Sequence, residues 1–247
     1  MRILISNDDG WGAKGILTLI RVLQPMGELT VVAPSGPRSG QSNAMTVLEP
    51  VSLDLVKAEP GLRVYTCSGT PTDCVKLAFH QLFPDGGPDL VCSGINHGDN
   101  GTINVLYSGT MGAVFEGTVH QVPSIGWSIC SHDPDVDFSE MERWMPEIIR
   151  RIMEMPYAFG RCWNVNAPVG PIQGYRFTRH CRGYWEKEWN TLSDEPEHML
   201  FSLAGNYVNL EPEAEDTDQY ACAHGYISVC PASTDMTDYD TLQLLRQ

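Results

Sequence analysis

The chain has 247 residues, 42% of them hydrophobic, which is enough to bury one sizeable core and too apolar for intrinsic disorder. Sixteen Lys and Arg against 31 Asp and Glu leave a net charge of -15, which disfavours nonspecific binding to nucleic acid or to an anionic membrane. An anionic substrate would need a local cation, and no stretch approaches the ~18 uninterrupted apolar residues of a membrane span.

Residues 3 to 10 read Ile-Leu-Ile-Ser-Asn-Asp-Asp-Gly, a buried strand that breaks on two carboxylates and a glycine. No apolar leader precedes it, so a cytoplasmic location is expected. Adjacent residues of a strand face opposite ways, so Asp8 and Asp9 can converge only where the strand has become a turn. Gly10 permits that turn. Ile16, Leu17, Leu19, Ile20 and Leu23 follow at helical spacing, so the pair lies at the carboxyl end of a strand, where open α/β sheets place ligands. Paired carboxylates repel unless a cation joins them, and their oxygens suit a hard divalent ion such as Mg²⁺ or Mn²⁺. Capping of the following helix is an equally open reading of the pair alone.

A strand over Leu29–Ala33 completes a β-α-β unit, and the polar loop from Ser35 to Asn43 follows it. Alternation predicts strands over residues 46 to 56 and 63 to 67. The turn from Ser68 to Asp73 leads into a helix through Leu82. The strand Asp89–Cys92 breaks on a third polar loop, Ser93 to Gly101. Tyr107-Ser108-Gly109-Thr110 then precedes a helix over Met111 to Val119, either as an anion site at a helix N-terminus or as an ordinary Ser cap. Pro123 to Ile129 reads as a strand, and Phe138 to Met153 as a helix with Met141, Trp144, Met145, Ile148, Ile149 and Ile152 on its core face. Trp163–Asn166 is expected to be the last sheet strand. From about residue 170 the pattern turns to hairpin-like strands at 199 to 203 and 225 to 230, with an acidic stretch, 211 to 218, read as a solvated loop.

Eight cysteines include no C-x-x-C, and Cys67, Cys92, Cys130 and Cys230 sit in or beside strand-like runs, so they read as reduced core residues. Seven histidines include no H-E-x-x-H, which argues against a zinc hydrolase. Gly10-Trp11-Gly12-Ala13-Lys14-Gly15 matches G-x-G-x-x-G, but two aspartates at the loop mouth would repel a pyrophosphate, and Ala33-Pro34 stands where a ribose-binding acid belongs. A phospho-receiver domain needs an acceptor aspartate after a central strand, where this chain has Asn96. A haloacid-dehalogenase-like phosphatase needs D-x-D, where this chain has D-D. The loops together offer Asp8, Asp9, the Ser39 hydroxyl and the Asn96 carbonyl to a hard cation, and Ser108, Gly109 and Thr110 to a tetrahedral anion. That arrangement points to metal-assisted hydrolysis of a phosphate ester, the ion polarising phosphoryl oxygens and acidifying bound water.

These loops also resemble those of the stationary-phase survival protein SurE family, a group of metal-dependent nucleotidases. The matching segments are I-L-I-S-N-D-D-G at 3 to 10, V-V-A-P at 31 to 34, R-S-G-Q-S-N at 38 to 43, G-T-P-T-D-C-V at 69 to 75, S-G-I-N-H-G-D-N at 93 to 100 and Y-S-G-T at 107 to 110. The E-G at 116 to 117 and G-Y-I-S-V at 225 to 229 are similar to the family as well. The resemblance implies one divalent ion, Mg²⁺ or Mn²⁺, per subunit on Asp8, Asp9, Ser39 and Asn96, with Asp8, Asp9 and Asn96 serving catalysis. It implies phosphate held near Gly40, Asn100, Ser108, Gly109 and Thr110. A Rossmann-like three-layer α/β core over about 1–170 is expected, with a C-terminal extension, 171–247, exchanged between subunits of a homodimer or homotetramer. The implied activity is hydrolysis of nucleoside monophosphates, at the 5′ and sometimes the 3′ position, with no nucleic acid polymer or membrane as partner. The rival is a nucleotide-binding regulatory protein with little turnover. Two departures stand out: His180-Cys181-Arg182-Gly183-Tyr184-Trp185 lacks the aspartate-proline-arginine-glycine pattern, and Asn104 stands where an acid is common.

Overall fold

The computed structural model describes residues 1–246. In chain order its elements are β1 (Arg2–Ser6), α1 (Lys14–Leu23), β2 (Glu28–Pro34), β3 (Leu53–Glu59), β4 (Leu62–Cys67), α2 (Pro71–Leu77), β5 (Leu90–His97), α3 (Gly109–Val119), β6 (Ser124–Ile129), α4 (Ser139–Met153) and β7 (Arg161–Ala167). The remainder holds β8 (Gly174–Phe177), β9 (Gly183–Glu186), β10 (Trp189–Glu195), β11 (His198–Leu203), β12 (Asn206–Asn209), α5 (Asp218–Ala223), β13 (Tyr226–Ser233) and α6 (Tyr239–Leu245).

A nine-stranded sheet in the order β3-β4-β2-β1-β5-β6-β7-β13-β8 forms the frame. From β4 to β7 every neighbouring pair is parallel, while β3 and β13 join antiparallel at the two ends of that run. The period of two along β1 builds the layers. Ile3 and Ile5 face α1 and α4, packing with Ile16, Leu19, Met145 and Ile149, while Leu4 faces the other way, toward Val75 of α2 and Ala113 of α3. Each of these side chains is fully buried, worth roughly 1.5–3 kcal/mol apiece for the larger aliphatics. The architecture is the expected three-layer α/β fold.

The order reverses at β1, with β2 on one side and β5 on the other. The carboxyl ends of β1 and β5 therefore open a crevice at the switch point of the sheet. On the α4 core face read from its spacing, Met141, Met145, Ile148, Ile149 and Ile152 are buried, while Trp144 is partly buried and packs against the same cluster.

Several expectations are corrected. The strand assigned to residues 46 to 56 begins only at Leu53; Val47 and Leu48 are 79% and 95% exposed, and Pro50 lacks the N–H that a ladder needs. The loop after Cys92 starts later, because β5 continues through Ser93 to His97 with an irregular register against β6 between Ser93 and Asn96. The turn of helix over Ala78–Leu82 is π-type. β7 is not the last sheet strand: β13, read as part of a hairpin, pairs with it over Ser228 to Ser233 and carries β8 beyond. What projects from the sheet is thus β9 to β12. Asp218, in the stretch read as solvated, is 2% exposed and accepts from the Cys181 and Thr102 N–H groups.

Candidate active site

The turn after β1 is tied by Asn7. Its side-chain oxygen accepts from the Gly10 N–H at 3.1 Å and its amide donates to the Gly10 carbonyl at 2.9 Å, closing the loop that carries Asp8 and Asp9. Gly10 sits at φ +98° beneath this turn. The G-x-G-x-x-G match has a packing cause: a Cβ at Gly15 would lie 1.9 Å from the Ile95 carbonyl oxygen, so glycine lets α1 lie directly on β5, while Gly12 meets nothing within 4 Å.

Asp8 is 3% exposed, and the Thr110 hydroxyl donates to its Oδ1 at 2.6 Å. Burial raises the Asp8 pKa to about 6; the Thr110 hydrogen bond opposes the rise and the neighbouring Asp9 charge adds to it. Asp9 is also raised, by burial, against the pull of His97, whose Nδ1 lies 4.0 Å from Asp9 Oδ2. That Asp9 oxygen is buried without a hydrogen-bond partner. Gly109, the first residue of α3, rests on Asp8: a Cβ there would be 2.9 Å from the Asp8 Cβ and 3.2 Å from the Arg38 carbonyl oxygen.

The loop after β2 is pinned over the same point. Arg38 N–H donates to the Asp8 carbonyl at 2.7 Å, and the Ser42 hydroxyl to the Leu106 carbonyl at 2.6 Å, which leaves Ser39 and Gly40 exposed between the two ties. At the end of β5, the Asn96 amide donates to the Gly98 carbonyl at 2.8 Å, so its own side-chain oxygen remains available as an acceptor. Asn100 is held by a buried chain of amides. Its N–H donates to Asn166 Oδ1 at 2.9 Å, its side chain to the Ser128 hydroxyl at 2.8 Å, and its carbonyl accepts from Asn164 at 2.7 Å. Asn164 and Asn166 stand on one face of β7, both wholly buried, and Asn166 donates to Asn164 at 3.0 Å.

Asp8, Ser39, Gly40, Asn96, Asn100 and Ser108 line one cavity of about 550 Å³, with Asp99, Asn104, His97 and His132. Trp185, Glu188, Leu203 and Ala204, from the projecting strands, close its far side. Asp9, Gly109 and Thr110 stand outside the lining. The Ser108 hydroxyl accepts from the Met111 N–H at 3.1 Å as the cap of α3, and the Thr110 hydroxyl is committed to Asp8. Among the described residues that line the cavity there is no Lys or Arg, while Asp8, Asp99 and Glu188 all border it.

An anion entering this cavity meets carboxylates with no Lys or Arg in the lining to balance them. The donor set fits a hard cation. Asp8 and Asp9 give charged oxygens, one of them buried and unpartnered, and Ser39 and Asn96 give neutral ones. The donors named here are all oxygens, the set that hard cations prefer, while zinc favours nitrogen and sulfur.

Asn7, Ser128, Asn164, Asn166 and Trp185 were not singled out as site residues from the sequence. The Asn164–Asn166 pair did leave a trace: two amides at i and i+2 within an otherwise apolar strand must share a buried face, and buried amides demand partners.

The chain matches the family model described as Survival protein SurE over residues 3–187. It is 47% identical to the 5'-nucleotidase SurE of Bacteroides thetaiotaomicron over 96% of this chain and 92% of that protein. Identity to the 5'-nucleotidase SurE of Bacteroides fragilis is 46%, over 99% of this chain and 96% of that protein. The crystal structure of the SurE protein from Aquifex aeolicus superposes with a TM-score of 0.84 at 29% identity, covering 100% of this chain and 98% of that one. Agreement in sequence along nearly the whole chain, and in fold over all of it, shows that the chain belongs to the SurE family.

Proposed function

We propose that the protein is a divalent-metal-dependent phosphomonoesterase that hydrolyses nucleoside monophosphates to nucleoside and phosphate, acting as a 5′-nucleotidase. The observation that carries this reading is the convergence of Asp8, Ser39 and Asn96 on a cavity without a side-chain cation, at the switch point between β1 and β5. The names of the Bacteroides relatives support the nucleotide as substrate.

Asp8, Asp9, Ser39 and Asn96 would hold one Mg²⁺ or Mn²⁺, which when bound polarises the phosphoryl oxygens and supplies an acidified water. Thr110 orients Asp8 and favours its ionised form by donating to it, against the effect of burial. Gly109 brings the N-terminus of α3 against the same carboxylate, and the free N–H groups of such a terminus favour negative charge. Gly40, Asn100 and Ser108 border the space that the phosphate would take, and the buried amides of β7 fix the Asn100 backbone there. The cavity size is that of ordinary small-ligand sites, roughly 300–1,000 Å³.

The protein is further proposed to be a cytoplasmic homodimer or homotetramer. All eight cysteines are free, which suits a reducing compartment, and no helix among the described residues is long and apolar enough to cross a membrane. β10 and β11 pair only with each other and expose Trp189, Leu192, Phe201 and Leu203, the surface expected of an arm that a second subunit covers. Light scattering would read the subunit count.

The test of the activity is phosphate release from a panel of nucleoside monophosphates by chelator-stripped protein, with and without added Mg²⁺ or Mn²⁺. Metal-restored release is expected. Nucleotide binding with no release under any metal would overturn the proposal in favour of a regulatory binder.

A further inference from the structure

The far side of the cavity is built differently from the end that carries Asp8. There Trp185, Leu203 and Ala204 line the cavity, and three contacts position the indole. Its Nε1–H donates to Asn104 Oδ1 at 2.8 Å, linking β9 to the turn between β5 and α3. The Tyr207 ring meets it edge to face, with centroids 5.8 Å apart at 68°. Gly205 closes in, where a Cβ would lie 3.1 Å from Trp185 Cε3. Asn104 is in turn held by its own amide, which donates to the Asp99 carbonyl at 3.2 Å.

An aromatic ring fixed at its polar edge and half-buried against a cavity offers little conformational entropy to lose when a flat ligand stacks on it. With its N–H already committed to Asn104, the indole presents no donor for reading a base edge. Its contribution is its face. Every nucleobase has a π-face, and stacking on an aromatic side chain tolerates base identity while rewarding ring size.

Resting on the nucleotidase reading above, we propose that Trp185 is the residue that binds the nucleobase, by stacking, and that Asn104 is its positioning residue. Trp185 thereby sets a preference for purine over pyrimidine nucleotides with little discrimination within either class. Asn104 supplies the one property this role requires, an acceptor oxygen for the indole N–H.

The test compares kcat/KM for AMP and for ribose 5-phosphate, which lacks a base, in the wild type and in Trp185→Ala, Trp185→Phe, Asn104→Leu and Asn104→Asp. The ratio of AMP to ribose 5-phosphate is expected to fall ~10- to 100-fold in Trp185→Ala, through KM for AMP, and less in Trp185→Phe, which keeps a ring. Asn104→Leu should lower the ratio as well, and Asn104→Asp, which still accepts from the indole, should restore it. A general loss of structure would depress both substrates alike and leave the ratio unchanged. An unchanged ratio in Trp185→Ala overturns the proposal. If the wild type releases phosphate from neither compound, the nucleotidase reading is what fails. Calorimetric AMP binding then decides the stacking role: weaker binding by Trp185→Ala supports it, and equal binding overturns it.

Discussion

The hydroxyl of Thr110, at the start of α3, donates to Oδ1 of Asp8, at the end of β1, across 2.6 Å of buried space and 102 residues of sequence. This contact gives Asp8 a fixed orientation in a setting that otherwise disfavours its charge. Thr110→Val removes the donor and keeps the shape, leaving a buried carboxylate oxygen short of a partner, at a cost of about 1–3 kcal/mol. Phosphate release should fall ~10- to 100-fold, and Thr110→Ser should recover most of it. Equal activity in Thr110→Val and wild type would remove Thr110 from the site.

Burial of the Asp8 carboxyl costs stability once it ionises. Its folded pKa, about 6, lies above the ordinary 3.8, so the folded state holds a proton that the unfolded chain has released. Stability from this group is complete below 3.8 and is lost as pH rises toward 6, so near neutrality in metal-free protein the ionised carboxyl is a net burden. Asp8→Asn keeps an acceptor for Thr110 and removes the charge. In chelator-treated protein near pH ~7 it should raise stability by up to about 3 kcal/mol while abolishing metal-dependent turnover. Urea denaturation measures the first and phosphate release the second.

Gly109→Ala sets two effects against each other. Alanine has the higher helix propensity, by about 1 kcal/mol over glycine in a helix interior and by less at this first position of α3. Its methyl would nevertheless stand 2.9 Å from the Asp8 Cβ, with the Arg38 backbone behind it, so Asp8 or the whole N-terminus of α3 must move. The helix content seen by circular dichroism should hold, and kcat should drop ~10-fold or more because positioning errors near 1 Å are that costly.

The amide chain on β7 offers a test at a distance from Asp8. Asn166→Ala strips the partner from the Asn100 N–H and from Asn164, both buried, and should destabilise the protein by about 1–3 kcal/mol. Since Asn100 borders the cavity, KM should rise as well. A stability loss with wholly unchanged kinetics would make the chain a structural feature alone.

The part-buried pair His180–Asp218 ties the segment leading into β9 to the start of α5, with Nδ1 to Oδ2 at 3.0 Å. Burial opposes protonation of His180, but the Asp218 hydrogen bond, helped by Cys230 beside the ring, lifts its pKa to about 10. Asp218 lies below the ordinary value: burial works against this, and the His180 and backbone N–H hydrogen bonds outweigh it. The His180 contribution is therefore complete below 6.5 and lost as pH rises through about 10, and that of Asp218 is lost only in acid, as pH falls below 3.8. The stability gap between wild type and His180→Gln should be wide near pH ~6 and narrow near pH ~10 by urea denaturation. A gap independent of pH would mean that the pair is uncharged.

The local order of residues determined much of this protein. The break of an apolar strand on Asn-Asp-Asp-Gly, the polar loops after β2 and β5, and Ser-Gly-Thr at the start of α3 are written within a few positions of one another, because strand period, turn chemistry and capping act over that range. The same reasoning placed the core face of α4 and the parallel sheet. Tertiary structure alone decided the rest. That Thr110 serves Asp8, that Asn166 holds Asn100, that β13 enters the main sheet and that Trp185 reaches Asn104 are contacts between segments far apart in the chain. Spacing carries no record of such pairings. They arise when the sheet order brings strand ends together and burial obliges each polar group to find a partner, and several chemically equivalent partners in the sequence could have met that demand.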